Sequence, residues 1–356
     1  MAADFRTADF DYHLPPELIA QEPVAERGAS RMMVVRRTDG LTDRRTGAVL
    51  STDIEDRTFA ELPELIPPGD LLVLNDTRVR HARLLGMRPS GAPAEVLLLH
   101  PATDGDWVAI GKPGSALRPG KRITLGDGVE IETVEVLAEG YRRVRAIGAD
   151  MEEAIRRFGR LPLPPYIHHD PTDLDEARYQ TVYAREEGSV AAPTAGLHFT
   201  PAILSELEAR GVELARVTLE VGPGTFKPVE DDDYTRHPMH PESYVVPEQA
   251  ANQIAAARVR RARIWAVGTT VVRALESAAD SSGVVHPGRA ETRLMIAPGY
   301  RFKVVDALLT NFHLPRSTLL LLVAAFAGYD RIRAAYAHAV EQRYRFYSYG
   351  DAMVIL

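Results

Sequence analysis

Apolar and polar positions fall into three regimes along the chain. Up to about Pro68 the pattern is broken. Pro15-Pro16-Glu17 opens a short helix, because proline is tolerated in a first helical turn, and residues 31–37 (RMMVVRR) read as a strand. Pro63 and Pro67-Pro68-Gly69 then punctuate the chain. From Gly69 to about Asp150 short apolar stretches recur, at 71–74, 94–99, 107–110, 121–125, 129–137 and 142–146. Turn pairs such as Asp104-Gly105, Pro113-Gly114, Pro119-Gly120 and Asp127-Gly128 separate them. Short strands at this spacing predict a small β-barrel or sandwich. Beyond Met151 helix alternates with strand. Thr200-Pro201 caps a helix that stops at Gly211, a strand follows at 212–221, a helix at 249–263, a buried strand at 264–267 and another helix at 269–279. The reading is an α/β sandwich domain discontinuous in sequence, residues 1–68 and 153–356, with residues 69–152 inserted as a small all-β barrel domain.

Composition changes this picture little. A chain of 356 residues, 45% apolar, suggests about two domains and a sizeable core. The N-terminal residues MAADFRTADFDYHL lack the basic-then-apolar order of a signal peptide. The longest apolar run, Leu319 to Ala327, is far shorter than the roughly 20 residues a membrane span needs. A cytoplasmic protein without membrane contact is expected. The absence of cysteine excludes thiol nucleophiles, thiolate-bound zinc and iron–sulfur clusters, and with them radical chemistry on S-adenosylmethionine. A net charge of −7 argues against a uniformly basic nucleic-acid coat but leaves room for a local basic face.

Five segments carry candidate chemistry. In Trp265-Ala-Val-Gly268-Thr269-Thr270-Val-Val-Arg273-Ala-Leu-Glu276 a buried strand ends at a glycine and a helix starts on two threonines. Hydroxyls and free N–H groups there suit a carboxylate or phosphate, and Arg273 and Glu276 are spaced to pair. An ordinary capped connection reads the same way. The loop Gly188-Ser-Val-Ala-Ala-Pro193-Thr194-Ala-Gly196-Leu-His198 is rich in small residues, which let backbone approach a ligand. His198 before a helix N-terminus should have its pKa lowered, as a neutral base or as a simple cap. Leu219-Glu220-Val221-Gly222-Pro223-Gly224-Thr225-Phe226-Lys227 could cradle a phosphate or adenine, though Lys227 stands where a dinucleotide fingerprint needs its third glycine. In His237-Pro-Met-His240-Pro-Glu242 the prolines oppose the helix that a two-histidine zinc motif requires, so acid–base work or ribose binding is expected rather than a metal. Thr310-Asn311-Phe312-His313 precedes the apolar run, which reads as a helix buried all round; that run and 344–349 read as core. Arginines at 78, 80 and 83, at 156, 157 and 160, and at 258, 260, 261 and 263 are either solvated faces or RNA contacts.

Taken together, these motifs resemble the S-adenosylmethionine:tRNA ribosyltransferase-isomerase family. The likeness also includes Asn75-Asp-Thr-Arg-Val79, Pro162-Leu-Pro-Pro-Tyr-Ile167, Tyr179-Gln-Thr-Val-Tyr183 and Tyr349-Gly-Asp-Ala-Met353, all in the family's order. One position departs: the family pattern has histidine where this chain has Glu220, so no role is carried onto Glu220. The resemblance implies the same fold, an α/β domain interrupted by a β-barrel. It implies transfer of the ribose of S-adenosylmethionine to 7-aminomethyl-7-deazaguanine at the wobble position of tRNA with a GUN anticodon, giving epoxyqueuosine, adenine and methionine. S-adenosylmethionine is then consumed as a substrate, with no cofactor and no metal. A base must take a proton beside the sulfonium and an acid must help adenine leave. His198, His240 and His313 are the expected proton carriers. Thr269, Thr270 and Arg273 are expected on the methionine carboxylate or a phosphate, and Asn311 and Glu242 on ribose or base. Pro193, Thr194, Gly222, Thr225 and Phe226 are expected to border the substrates, with Tyr166 and Phe226 as stacking partners. A paralogue acting on the free base, or a non-catalytic tRNA-binding module, would share much of this pattern.

Overall fold

A computed structural model describes residues 5–37, 54–222 and 229–356. Its main element is a nine-stranded sheet. The strands run in the order Gly288–Thr292, Glu242–Val246, Glu213–Leu219, Leu71–Asn75, Ile264–Val267, Ala307–Asn311, Ala352–Ile355, Arg31–Val35 and Ile54–Thr58. The four strands from Glu213–Leu219 to Ala307–Asn311 are mutually parallel, so their carboxyl ends meet at one edge.

Alternation along these strands explains why nearly all of their residues are apolar. Leu71, Val73, Ile264 and Ala266 face one cluster, with Ile254, Val271, Leu321 and Ile332 from the helices Glu248–Arg260, Thr269–Ala278, Thr318–Ala327 and Tyr329–Glu341. Leu72, Leu74, Trp265 and Val267 face a second, with Leu62, Ile203 and Leu207 from Leu62–Leu65 and Pro201–Ala209. A parallel sheet covered on both faces buries both residue sets, which erases the polar half of the strand pattern. The ends are specified locally. Thr200 accepts from the Ile203 N–H at the start of Pro201–Ala209, and Ser317 does the same for Leu320.

Pairing of Arg31–Val35 with Ala352–Ile355 joins the beginning of the chain to its end. One expectation is corrected here. Residues 71–74, grouped in the sequence with the short strands of the second region, lie at the centre of the large sheet. Asp70 helps to hold them there. It is 6% exposed, and its carboxylate accepts from the Arg263 N–H at 2.9 Å and the Trp265 indole N–H at 2.8 Å. Asp70→Leu strands both donors in the core, and about 3 kcal/mol of stability should be lost. Urea unfolding checks this, and a loss below about 1 kcal/mol contradicts it.

A second sheet takes Arg83–Met87, Pro93–Pro101, Trp107–Lys112, Arg142–Ile147, Val129–Val136 and Arg122–Gly126 as successive antiparallel neighbours. The pair Met87–Thr124 brings the first of these against the last. Their inward side chains, Leu84, Val96, Leu98, Ala109, Ile123, Ile131 and Val144, form a separate cluster with Met151, Ala154 and Ile155 of the helix Met151–Phe158.

Candidate active site

Where parallel strands end side by side, no strand closes the sheet edge, and the loops leaving them diverge around a crevice. Here the carboxyl ends of Leu71–Asn75, Glu213–Leu219, Ile264–Val267 and Ala307–Asn311 deliver Val221, Gly268-Thr269-Thr270 and Asn311-Phe312-His313 to one cleft. The small-residue loop supplies Pro193 and Thr194, and Tyr166, Tyr347 and Ser348 complete the walls. A second chamber, which shares Leu319 with the first, takes Gly222, His240, Glu242 and Arg273. Four of the five singled-out segments therefore reach the first chamber and the fifth, with His240 and Glu242, reaches the second. Thr225 and Phe226 lie outside the described residues.

Buried polar groups and glycines hold the residues that line the cleft. Asn75 is fully buried. Its amide donates to Thr270 Oγ1 at 3.3 Å and to the Leu219 carbonyl, and its Oδ1 accepts from the Leu219 N–H. One side chain thus ties two strand ends to the start of the helix Thr269–Ala278. Gly268 has φ +92°, the left-handed region that costs glycine nothing, and this turn starts the helix Thr269–Ala278 at the cleft. Gly196 serves close approach instead: a Cβ there would lie 2.2 Å from the Tyr183 hydroxyl.

The three histidines are separated. His313 lines the first chamber, with Nε2 2.8 Å from Thr310 Oγ1 and its backbone N–H donated to the Tyr336 hydroxyl. Burial lowers its pKa to about 3, so it is uncharged. His240 lines the second chamber, with Nδ1 3.0 Å from the Tyr141 hydroxyl and 3.1 Å from Glu139 Oε2, both carried by the second sheet. His198 lines neither chamber. It is stacked on Phe59 at 5.0 Å, with Nδ1 2.7 Å from Ser30 Oγ. Its pKa is lowered to about 4, the expected direction, but burial is the main cause rather than the helix start.

Arg273 and Glu276 do not pair, although one helical turn separates them. Arg273 makes a buried ion pair with Glu242 and donates Nε–H to the Leu294 carbonyl. Its Nη2 is buried at the second chamber with no hydrogen-bond partner among the described residues. Glu276, 1% exposed, instead accepts the backbone N–H groups of Lys303, Val304 and Val305 and the Tyr300 hydroxyl. Three amides solvate that carboxylate better than a cation already committed elsewhere.

The segment read as core at 344–349 is only partly so. Tyr347 is buried yet borders the cleft, stacked on Tyr166 at 4.2 Å between ring centroids. Its φ of +73° is unfavourable for a residue with a Cβ, and such strain concentrates at functional sites. Nothing in the pattern of Tyr-Arg-Phe-Tyr-Ser-Tyr signals it. Glu220 is not among the residues lining either chamber; it packs over Gly188, 3.8 Å from Arg289. Many of the arginines offered to RNA are engaged locally, Arg80 with Glu152, Arg83 with Glu95 and Asp170, Arg157 with Glu153 and Asp127, and Arg260 with Glu213. Among the described residues no three acidic, histidine or cysteine side chains gather as a metal site would need, and no helix is long and apolar enough to cross a membrane.

Comparison with known proteins identifies the family. A family model described as "Queuosine biosynthesis protein" matches residues 7–355. An S-adenosylmethionine:tRNA ribosyltransferase-isomerase of Symbiobacterium thermophilum is 54% identical over 354 residues, 99% of this chain and 100% of the relative. One from Azoarcus sp. is 51% identical over 98% of this chain and 96% of its own. The crystal structure of S-adenosylmethionine tRNA ribosyltransferase from Thermotoga maritima is similar at a TM-score of 0.54 and 37% identity, covering 98% of this chain and 100% of that one. With the family model matching residues 7–355 and relatives more than 50% identical over nearly the whole chain, the chain belongs to the queuosine biosynthesis protein family.

Proposed function

We infer that the protein is an S-adenosylmethionine:tRNA ribosyltransferase-isomerase, which moves the ribosyl group of S-adenosylmethionine onto 7-aminomethyl-7-deazaguanine in tRNA and isomerises it. The observation that carries this reading is the end-to-end likeness to relatives of that name, combined with two chambers that share Leu319 in their walls. We extend it to tRNA with a GUN anticodon as the acceptor, and to a cytoplasmic protein needing no cofactor, because S-adenosylmethionine is itself consumed. The fold is proposed as a discontinuous α/β domain with the six-stranded ring as an inserted small barrel. Its start is moved from residue 69 to about 82, since Leu71–Asn75 belongs to the large sheet, and its end from residue 152 to about 160, where Gly159–Arg160 pairs with Arg83–Met87.

The two chambers divide S-adenosylmethionine. Its amino-acid end goes to the second, where the Arg273 Nη2 donor suits a carboxylate and Glu242 orients that guanidinium through their ion pair. Nucleoside and acceptor base meet in the first, against Pro193, Thr194, Thr269, Thr270 and the Tyr166–Tyr347 wall. His313 takes the proton from the carbon beside the sulfonium. Its burial keeps it neutral, so no imidazolium opposes the incoming cation. His240, hydrogen-bonded to Tyr141 beside Glu139, lines the second chamber with the amino-acid end, so protonation of the adenine in the first chamber is not assigned to it.

The test is adenine release from S-adenosylmethionine with purified tRNA carrying the aminomethyl base. His313→Ala should reduce it at least about 100-fold. Turnover that methylates tRNA, or that proceeds on the free base alone, overturns the assignment.

A further inference from the structure

Arg258, Arg261 and Arg263 have no part in the cleft. With Arg37 and Arg331 they line a separate cavity that shares no wall residue with either chamber. It lies at the opposite edge of the large sheet. Arg263 precedes the strand Ile264–Val267 and Asp306 precedes Ala307–Asn311, whereas the cleft opens at the carboxyl ends of those strands. The helix Thr318–Ala327 spans the two, with Leu319 in the chambers and Phe326 and Ala327 in the cavity. At 1.5 Å per residue they are separated by on the order of 10 Å along the helix axis.

Three of the five guanidinium groups are held in place from behind. Arg37 lies over the Phe326 ring at 4.1 Å and donates to the Asp306 carbonyl. Arg331 donates to the Ala327 carbonyl at 2.6 Å. Arg258 donates to the Lys303 and Val304 carbonyls and pairs with the Asp306 carboxylate at 3.1 Å. A carbonyl orients a cation without cancelling its charge. The exposed side chains of Arg261 and Arg263 make no hydrogen bond or ion pair among the described residues. Arg261 also ends the helix Glu248–Arg260 with φ +60°, a position where glycine is the usual residue. The strain of an arginine there is not offset by any bond its side chain makes within the described chain.

Arginines gather at helix ends too, where the last carbonyls carry roughly half a negative charge. Two helices, Glu248–Arg260 and Thr318–Ala327, end at this cavity, and Asp306 and the carboxyl of Leu356, the last residue of the sequence, add one charge each. Together these come to about three negative charges against five guanidinium groups. The remainder, about two positive charges, matches a single phosphate group.

We propose that this cavity is a phosphate-binding site distinct from the cleft. Arg261 and Arg263 supply forked N–H donors to the phosphate, and Arg37, Arg258 and Arg331 set the positive field around it. The phosphate belongs to the backbone of a tRNA or to a free phosphate-bearing molecule. The site goes beyond ribosyl transfer, and its binding is readable without S-adenosylmethionine.

The variant Arg261→Gly with Arg263→Gln removes the two uncommitted cations. Glycine relieves the positive φ, so the melting temperature should not fall. Calorimetric titration at low salt should show inorganic pyrophosphate binding at least about 10-fold more weakly to the variant than to the parent. Titration with tRNA across a salt series is the second arm. A slope of log affinity against log salt that is shallower by about 2 in the variant assigns the phosphate to RNA. An unchanged slope with weakened pyrophosphate binding assigns it to a free ligand. A variant that matches the parent in both titrations overturns the site. So does an equal loss of pyrophosphate binding in Arg118→Gln with Arg210→Gln, which removes two exposed arginines elsewhere. Should the first variant melt early, phenylglyoxal modification of the unaltered protein decides. Protection of Arg261 and Arg263 by pyrophosphate or tRNA supports the site, and equal modification with and without them overturns it. Absence of adenine release would sink the functional reading and leave these titrations untouched.

Discussion

Arg273→Leu is expected to weaken S-adenosylmethionine binding roughly 10- to 100-fold and to cost about 3–5 kcal/mol of stability. The two losses have different origins. Stability falls because Glu242, 4% exposed, loses the guanidinium with which it is buried, and removing one partner of a buried ion pair is costly. Binding falls because Nη2 is the donor aimed into the second chamber. A double variant, Arg273→Leu with Glu242→Leu, separates them. Removing both charges should restore most of the stability, since a buried ion pair exchanged for apolar residues is often near neutral, yet donor binding should stay weak. Calorimetric titration with S-adenosylmethionine in the absence of tRNA and urea unfolding read the two quantities. Donor affinity at the parent level in the double variant would remove Arg273 from the substrate site.

Between pH 7 and pH 5 the protein should lose about 2 kcal/mol of stability through each of His198 and His313. Burial holds their folded pKa values at about 4 and about 3, below the ordinary 6.5 of an exposed ring. Below pH 6.5 the unfolded chain binds protons that the folded state refuses, so stability is complete above that pH and falls with acid until the folded rings themselves titrate. The lowered carboxyls of Asp56 and Asp175 act in the same sense but only below their ordinary range near 4. His169, raised by hydrogen bonds to backbone carbonyls, acts in the opposite sense, but it is solvent-screened. Comparing the parent with a His198→Gln, His313→Gln double variant cancels every other group. The variant should show a stability profile flatter by about 4 kcal/mol over this interval. Parallel profiles would mean that neither ring is held neutral.

Elements with a one-dimensional signature are legible from the residues alone. Residues 264–267, the capped helix after Thr200 and the turn-separated strands from 94 to 146 lie close to where the apolar pattern places them. Strands without that signature escape it. Arg83–Met87 and Gly288–Thr292 are polar or glycine-broken, and only their neighbours' backbones make them strands. Residues 71–74 read correctly as a strand but belong to the other sheet, because an apolar run does not say which partner it will pair with. The site divides in the same way. The loops at Pro193, Gly268 and Asn311 are readable from small residues and hydroxyls at strand–helix junctions. Asn75 and Tyr347, which hold and wall the cleft, resemble ordinary strand and core residues.

Residue chemistry and chain order together establish which groups are on offer: histidines, threonines and an arginine on loops at helix starts, without thiols. Their division of labour comes from three-dimensional packing. One histidine faces the first chamber, one the second, and one packs against Ser30 and Phe59 outside both. The reason is physical. Whether an imidazole meets substrate or a neighbour's hydroxyl, and whether a guanidinium spends all its donors or keeps one, depends on desolvation and on contacts between segments far apart in the chain. Neither is written in local sequence.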